Sequence, residues 1–509
     1  MLACTQRFRL SVSPSLYHSE RNHGVESAFS PAGALQPSNR DSFAHIKQFL
    51  PTLSRADGVP QAYLPSKQQR YDEPSWYSLD LQALYSTCLV SRRLRHVAQA
   101  ILYHEFVPGY GDSGLSRRYS WYRRLASFLR TVSLRRDLAN LVRRLCLSHS
   151  LLEPITIESH HVETALEESA RTRGINLSDF LEPFHYLPDR ELLGPYRPAA
   201  DELVAMLLSC LSNLARLYLT MATLQGPIPV AAFSAAGVPR LSLQSIEFYA
   251  SGSNLRQRLG GILEMSLSTL RTLDITSYCS YDGDKLGLSD LLFPSLRNIS
   301  VTNSGMSGAD LELLLSCCTG LETFIYDATS IIYCIKPSNV IKFLKRHQET
   351  LTTMRLDLRD ARLTDERFLS EPMPSLKIFP TLLNVSLNSL FIYNRMNQGL
   401  EDDYVLCQLL PPSIVSLQLY DTVGTPTFAR LLNSLLRLVD AVSQGQFPCL
   451  RMVRCYIRRD FDDYSLVLKF ASAGVCLDMI SGPPSDVVPR RRGSTSSSSS
   501  MESVTGPRV

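Results

Sequence analysis

One short pattern governs what this chain can fold into. An apolar residue, two others, an apolar residue, one other and an apolar residue recur as LARLYL at 214, LQSIEF at 243, LRTLDI at 270, LRNISV at 296, LETFIY at 321, LTTMRL at 351, LLNVSL at 382, IVSLQL at 414 and LRMVRC at 450. Their starts lie 29, 27, 26, 25, 30, 31, 32 and 36 residues apart, and an earlier copy, VRRLCL, begins at Val142. In a strand successive side chains point to opposite faces. The last two apolar residues of each copy therefore face one way, while positions three, five and seven face the other. Three inward side chains per copy, each worth about 1.5 to 3 kcal/mol when buried, suffice only when neighbouring copies cover both sides. The copies must stack.

This is the leucine-rich-repeat signature, which recurs at about 20 to 29 residues. It predicts an α/β fold: an irregular leucine-rich-repeat solenoid with parallel strands on the concave side and helices on the convex side. Apolar residues at helical spacing precede several strands, as in 201–213, 309–320 and 339–350. The solenoid is expected over 142–480, interrupted by a polar insertion at 149–200. A helical linker and amino-terminal cap are expected at 108–148, and a carboxy-terminal cap in FDDYSLVLKFASAGVCLDMI. The ninth position of the pattern, usually Asn or Cys, holds Ala222, Tyr278, Ser304, Thr329 and Arg359. No side-chain ladder is then expected to satisfy the turns, and the horseshoe should be uneven.

Residues 1–62 are rich in Ser, Pro, Gly and Asn, and 481–509 contain RRRGSTSSSSS; both read as disordered segments. Between the first of these and the repeats lies a helical block, 63–107, in which Leu81, Leu84 and Cys88, then Val90, Leu94, Val97 and Ile101, recur at three and four residues. Its CLVSRRLRHVAQAILYHEF resembles the second half of an F-box of the kind found in filamentous fungi. The following RLASFLRTVSLRRDLANLVRRLCLS is similar to the segment that bridges F-box and repeats in those proteins. The resemblance implies docking on the Skp-type adaptor of a cullin ubiquitin ligase, with the repeats presenting a protein substrate. Carried over, the apolar F-box positions are Leu81, Leu84, Leu89, Val90, Leu94 and Val97, some facing the adaptor and some the block's own core. Leu64-Pro65 stands where an F-box begins, but 66–78 supply charges and Pro74 where a first apolar helix belongs. The rival reading is a leucine-rich-repeat scaffold without a ligase role.

Fifty-two Lys and Arg against 48 Asp and Glu leave a formal charge of +4, so no global field draws the chain to nucleic acid or a membrane. No apolar run reaches the roughly 18 residues of a membrane span. Twelve cysteines, scattered without a C-x-x-C pair, favour reduced thiols and hence the cytoplasm or nucleus. The common phosphate-loop, dinucleotide, zinc-protease and serine-hydrolase patterns do not occur, so neither catalysis nor a cofactor is expected. His160-His161 and Cys317-Cys318 are adjacent pairs, whose side chains diverge, and are expected to pack instead of chelating. Asp282, Asp284 and Asp290 lack calcium-loop spacing. Arg491-Arg492-Gly493-Ser494 resembles the motif read by basophilic kinases, which makes Ser494 a candidate phosphorylation site.

Positions three, five and seven supply the expected substrate-binding concave face: Arg216, Tyr218, Glu247, Tyr249, Asp274, Asp327, Arg355, Asp357, Gln418, Tyr420, Arg454 and Tyr456. Tyr and Arg are frequent interface anchors, so Tyr218, Tyr249, Tyr420 and Tyr456 are expected to matter most.

Overall fold

The computed structural model describes residues 76–90, 92–106, 121–147, 159–185, 199–220, 228–249, 255–278, 291–328, 335–357, 373–393, 403–420, 427–457 and 464–481. The expectations for 1–62, Leu64-Pro65, Asp282, Asp284, Asp290 and Ser494 fall outside these residues.

Among the described residues, twelve strands form one parallel sheet in strict chain order. They are β1 (Glu105–Phe106), β2 (Arg144–Leu147), β3 (Arg216–Thr220), β4 (Ser245–Tyr249), β5 (Thr272–Thr276), β6 (Asn298–Ser304), β7 (Thr323–Ala328), β8 (Thr353–Asp357), β9 (Asn384–Asn388), β10 (Ser416–Tyr420), β11 (Met452–Ile457) and β12 (Cys476–Ser481). Every copy of the pattern supplies one strand, and the copies pair in register, with one shift between Thr302 and Ser304 where β6 meets β7. Inward side chains such as Leu217, Leu219, Leu273, Ile275, Met354 and Leu356 are at most 1% exposed. They share one core with the helices that connect the strands. The result is an α/β, solenoid-like stack, open on its other face.

Local chemistry explains where the connecting helices start and how closely they pack. Ser307 caps the helix Gly308–Ser316, its Oγ accepting from the Asp310 N–H at 3.1 Å. Pro337 opens the helix Pro337–Leu344, where its missing N–H costs nothing. In the helix Leu255–Ser266, a Cβ on Gly261 would collide with the Ile228 carbonyl oxygen, so only glycine permits that approach. Buried His347 accepts the Leu321 N–H on Nδ1 at 3.5 Å and holds Nε2 3.2 Å from the Leu315 carbonyl. It joins a helix to the next strand, and burial depresses its pKa.

Two ladders stitch consecutive copies together where the strands begin. The carbonyl at position two of each copy accepts two N–H groups of the next: Arg143 from Ala215 and Arg216, Gln244 from Arg271 and Thr272, Glu322 from Thr352 and Thr353. The second ladder is made by side chains, at the end of the strands opposite the turns for which no side-chain ladder was expected. The hydroxyl just before the first apolar residue donates to the previous copy, Ser242 to Ser212 O at 2.8 Å, Thr269 to Leu243 O at 2.8 Å, and Ser295 to Ser268 O at 2.8 Å. Thr350 reaches Leu321 O at 2.8 Å, Thr381 reaches Leu351 O at 3.0 Å and Ser413 reaches Leu382 O at 2.9 Å. The ladder sits one residue before the pattern instead of at its ninth position.

Three boundaries differ from the sequence reading. The polar stretch 149–200 contains helices Ser159–Arg173 and Leu177–His185, whose Val162, Ala165, Leu166, Phe180 and Phe184 are buried in the common core. Its polarity belongs to the outward sides of those helices. The sheet begins at β1, inside the F-box-like block, and ends at β12, inside the stretch expected to act as a cap.

Candidate protein-binding face

On the open face, register neighbours align in rows across the sheet. The middle row runs Tyr218, Glu247, Asp274, Ser300, Ile325, Arg355, Ser386, Gln418, Arg454 and Asp478. Beside it lie Tyr249, Thr276, Thr302, Asp327 and Asp357, and further along Asn388, Tyr420 and Tyr456. The alternation thus brings all twelve expected face residues onto one side. Arg216 starts β3 and is exposed, as is Tyr249, while Tyr218, Glu247, Asp274, Arg355, Gln418 and Arg454 are half-buried.

Asp327, Asp357, Tyr420 and Tyr456 are buried, and this changes their roles. Tyr420 and Tyr456 stack at 4.9 Å between centroids. The Arg355 guanidinium lies 5.6 Å over the Tyr420 ring and bonds Asp357 at 3.3 Å. The Tyr420 hydroxyl donates to Gln418 Oε1 at 3.2 Å, and Arg454 Nε donates to Asp478 at 3.0 Å. Both of the expected anchors at this end are therefore internal supports: Tyr420 holds Arg355 and Gln418, and Tyr456 backs the Tyr420 ring.

The other end of the face is arranged differently. Glu247 and Asp274 are register neighbours on adjacent strands, and among the described residues neither forms an ion pair. Crowding by protein raises both pKa values, Glu247 from its ordinary 4.5 to about 7 and Asp274 to about 6; the Asp274 charge adds to the effect on Glu247, and Arg144 opposes it. That Arg144 is engaged with Glu105 at 3.4 Å. Tyr218, beside Glu247, has its hydroxyl pKa raised well above the ordinary 10 by burial.

The sequence reading missed Asp478 and Glu105 because their strands carry no full copy of the pattern. The alternation in VCLDMI was the available signal for the first; the two residues of β1 offer none.

At the amino-terminal end of the described chain, helices Trp76–Val90 and Arg92–Leu102 pack on each other, with Arg95 Nε donating to the Cys88 carbonyl at 3.0 Å. Leu84 is buried, and Val97 packs half-buried against the core. Leu89, Val90 and Leu94 are 64%, 75% and 40% exposed. The six F-box-like positions are thus sorted into inward and outward groups, except Leu81, whose side chain lies outside the description.

Among the described residues, no group of three or more His, Cys, Asp or Glu is placed to hold a metal ion, and no helix is long and apolar enough to cross a membrane. Fold and surfaces define a stacked α/β protein with a broad polar sheet face at its flank and, at one end, a helical pair that exposes Leu89, Val90 and Leu94 among arginines. Comparison with protein-family models and with curated proteins finds no match.

Proposed function

We propose that this chain is a protein-binding adaptor, the substrate-recognition subunit of an SCF-type cullin ubiquitin ligase. The helical hairpin is the handle for the Skp-type adaptor and the open sheet face is the grip for a protein substrate. The observation that carries the reading is the outward set Leu89, Val90 and Leu94. These three apolar side chains stand in solvent at the corner where the F-box resemblance places the adaptor, while Leu84, Cys88, Ala98 and Ile101 fill the core beneath them. Three exposed apolar residues within one short stretch mark an interaction site more often than a lone exposed leucine does, and the exposed Arg92, Arg93 and Arg95 beside them would give that site a basic rim. The scattered cysteines, none of which forms a disulfide among the described residues, fit a reducing cytoplasm or nucleus as the place of work.

The test is a pull-down of the full chain with a recombinant Skp-type adaptor. The variant Val90→Asp with Leu94→Asp is expected to lose the adaptor while keeping the wild-type unfolding transition. Retained binding by this variant, or no binding by the wild type, overturns the ligase role. The charged stretch 66–78 with Pro74 favours a second reading: a stacked scaffold that uses the same open face without a ligase handle.

A further inference from the structure

We propose that the open face over β3, β4 and β5 docks a basic segment of the bound protein, seating a lysine or arginine side chain among Tyr218, Glu247, Tyr249 and Asp274. The proposal rests on the reading of the open face as a grip and is independent of the ligase handle.

The first argument is charge. From β3 to β9 the open positions carry four carboxylates, Glu247, Asp274, Asp327 and Asp357, and two guanidinium groups, Arg216 and Arg355. The chain as a whole has a formal charge of +4, so this face is acidic on a mildly basic molecule. Arg355 is already committed to Asp357 and to the Tyr420 ring. It offers nothing to the acids at β4 and β5; Arg144, whose charge acts on Glu247, bonds Glu105, and among the described residues Arg216 forms no ion pair with either acid.

The second argument is position. Neighbouring strands lie about 4.8 Å apart, so Glu247 and Asp274 stand close enough for one cationic group to meet both. Tyr218 adjoins Glu247 in the same row, and Tyr249 follows Glu247 by two residues on the same face. Tyr249 is 39% exposed. Carboxylates below and aromatic surface on two sides suit a long side chain with an apolar stem and a charged head, since an aromatic ring attracts a cation as well as covering its stem. Two carboxylates held side by side without a cation repel each other, and a bound cation converts that cost into attraction. Their raised pKa values are consistent with such a dehydrated pair. The stretch between Asp274 and Arg355 holds only Ser300 and Ile325 in the middle row, which leaves the line of the segment unobstructed by charge.

The experiment uses the full chain and three fluorescent probes: a peptide alternating lysine with serine, the same peptide with arginine for lysine, and the same peptide with glutamate for lysine. Binding is followed by anisotropy, and calcium and magnesium ions are titrated separately. The two basic peptides are expected to bind and the glutamate peptide not to. Glu247→Gln with Asp274→Asn should weaken the basic peptides by about tenfold or more, and Tyr249→Ala by a smaller factor. The double variant removes a repulsion, so its fold is secure; an unchanged melting transition verifies it. Equal binding of the lysine peptide to wild type and double variant overturns the proposal, as does absence of binding to the wild type. Tight calcium or magnesium binding lost in the double variant, with no basic peptide bound, overturns it in favour of a cation site. If the basic peptides fail while substitutions around Arg355 and Gln418 still abolish binding of an identified substrate, the grip reading stands and only its basic-segment form falls.

Discussion

Tyr456 lies flat against Tyr420, their ring planes 18° apart, and the pair is almost wholly withdrawn from solvent. Tyrosines at this position of a repeat invite the assumption that they wait for a partner. Here they meet each other, and Arg355 closes over one of them. Tyr456→Ala is therefore expected to cost about 2 to 4 kcal/mol of stability. Tyr249→Ala should cost less than about 1 kcal/mol. Chemical denaturation of the two variants measures the difference, and equal costs would contradict the assignment of support and contact.

Alternation along β5 sets a second contrast. Leu273 is fully buried while Thr272, its neighbour in the strand, is half-buried on the open face. Leu273→Ala leaves a cavity and should cost about 2 to 5 kcal/mol; Thr272→Ala should cost under about 0.5 to 1 kcal/mol. Thermal unfolding of both variants decides it.

The hydroxyl ladder predicts an effect that volume cannot explain. Thr269 Oγ1 lies within 3.0 Å of Leu241 O and 2.8 Å of Leu243 O. Thr269→Val keeps the shape and deletes the donor, so it should destabilise the chain by about 1 to 3 kcal/mol, whereas Thr269→Ser should restore most of the loss. A Val variant as stable as wild type would show that the bridge contributes nothing.

The acidic pair couples stability to pH with a definite sign. Glu247 rises from 4.5 to about 7 on folding, so between these values the folded state holds the proton more tightly than the unfolded one. Its contribution is complete below about pH 4.5 and is lost as pH climbs through 7. Glu247→Gln should thus match wild type near pH 4 and exceed it by about 1 to 3 kcal/mol at pH 8. Denaturant midpoints at the two pH values check the crossover.

Much of this architecture is written in the spacing of leucines. Leu214, Leu243, Leu270 and their successors mark where each strand turns inward, and strand alternation then fixes the face of every residue from Arg216 to Tyr456. What the pattern does not encode is contact between copies. The Ser or Thr before the first apolar residue of six copies was visible, but a hydroxyl in a turn bonds locally as readily as across 26 to 31 residues. Burial of Tyr420 and Tyr456 depends on two strands 36 residues apart lying in register, which no single window displays. The helices in 149–200 were legible at Val162, Ala165 and Leu166 and again at Phe180 and Phe184, whose three- and four-residue spacing the surrounding charges outnumber.

Because all twelve strands run the same way, the molecule has two unlike rims. At one, where strands begin, a carbonyl ladder binds each copy to the last and a hydroxyl ladder reinforces six of these joins. At the other, where strands end, the chain departs, and from Leu214 onward the interval from one copy to the next ranges from 25 to 36 residues. Length can be added or removed along the departing rim without shifting a single inward leucine, whereas one residue inserted at the starting rim would turn a strand inside out. The same scaffold can therefore acquire new connections beside its binding face while its core stays unaltered.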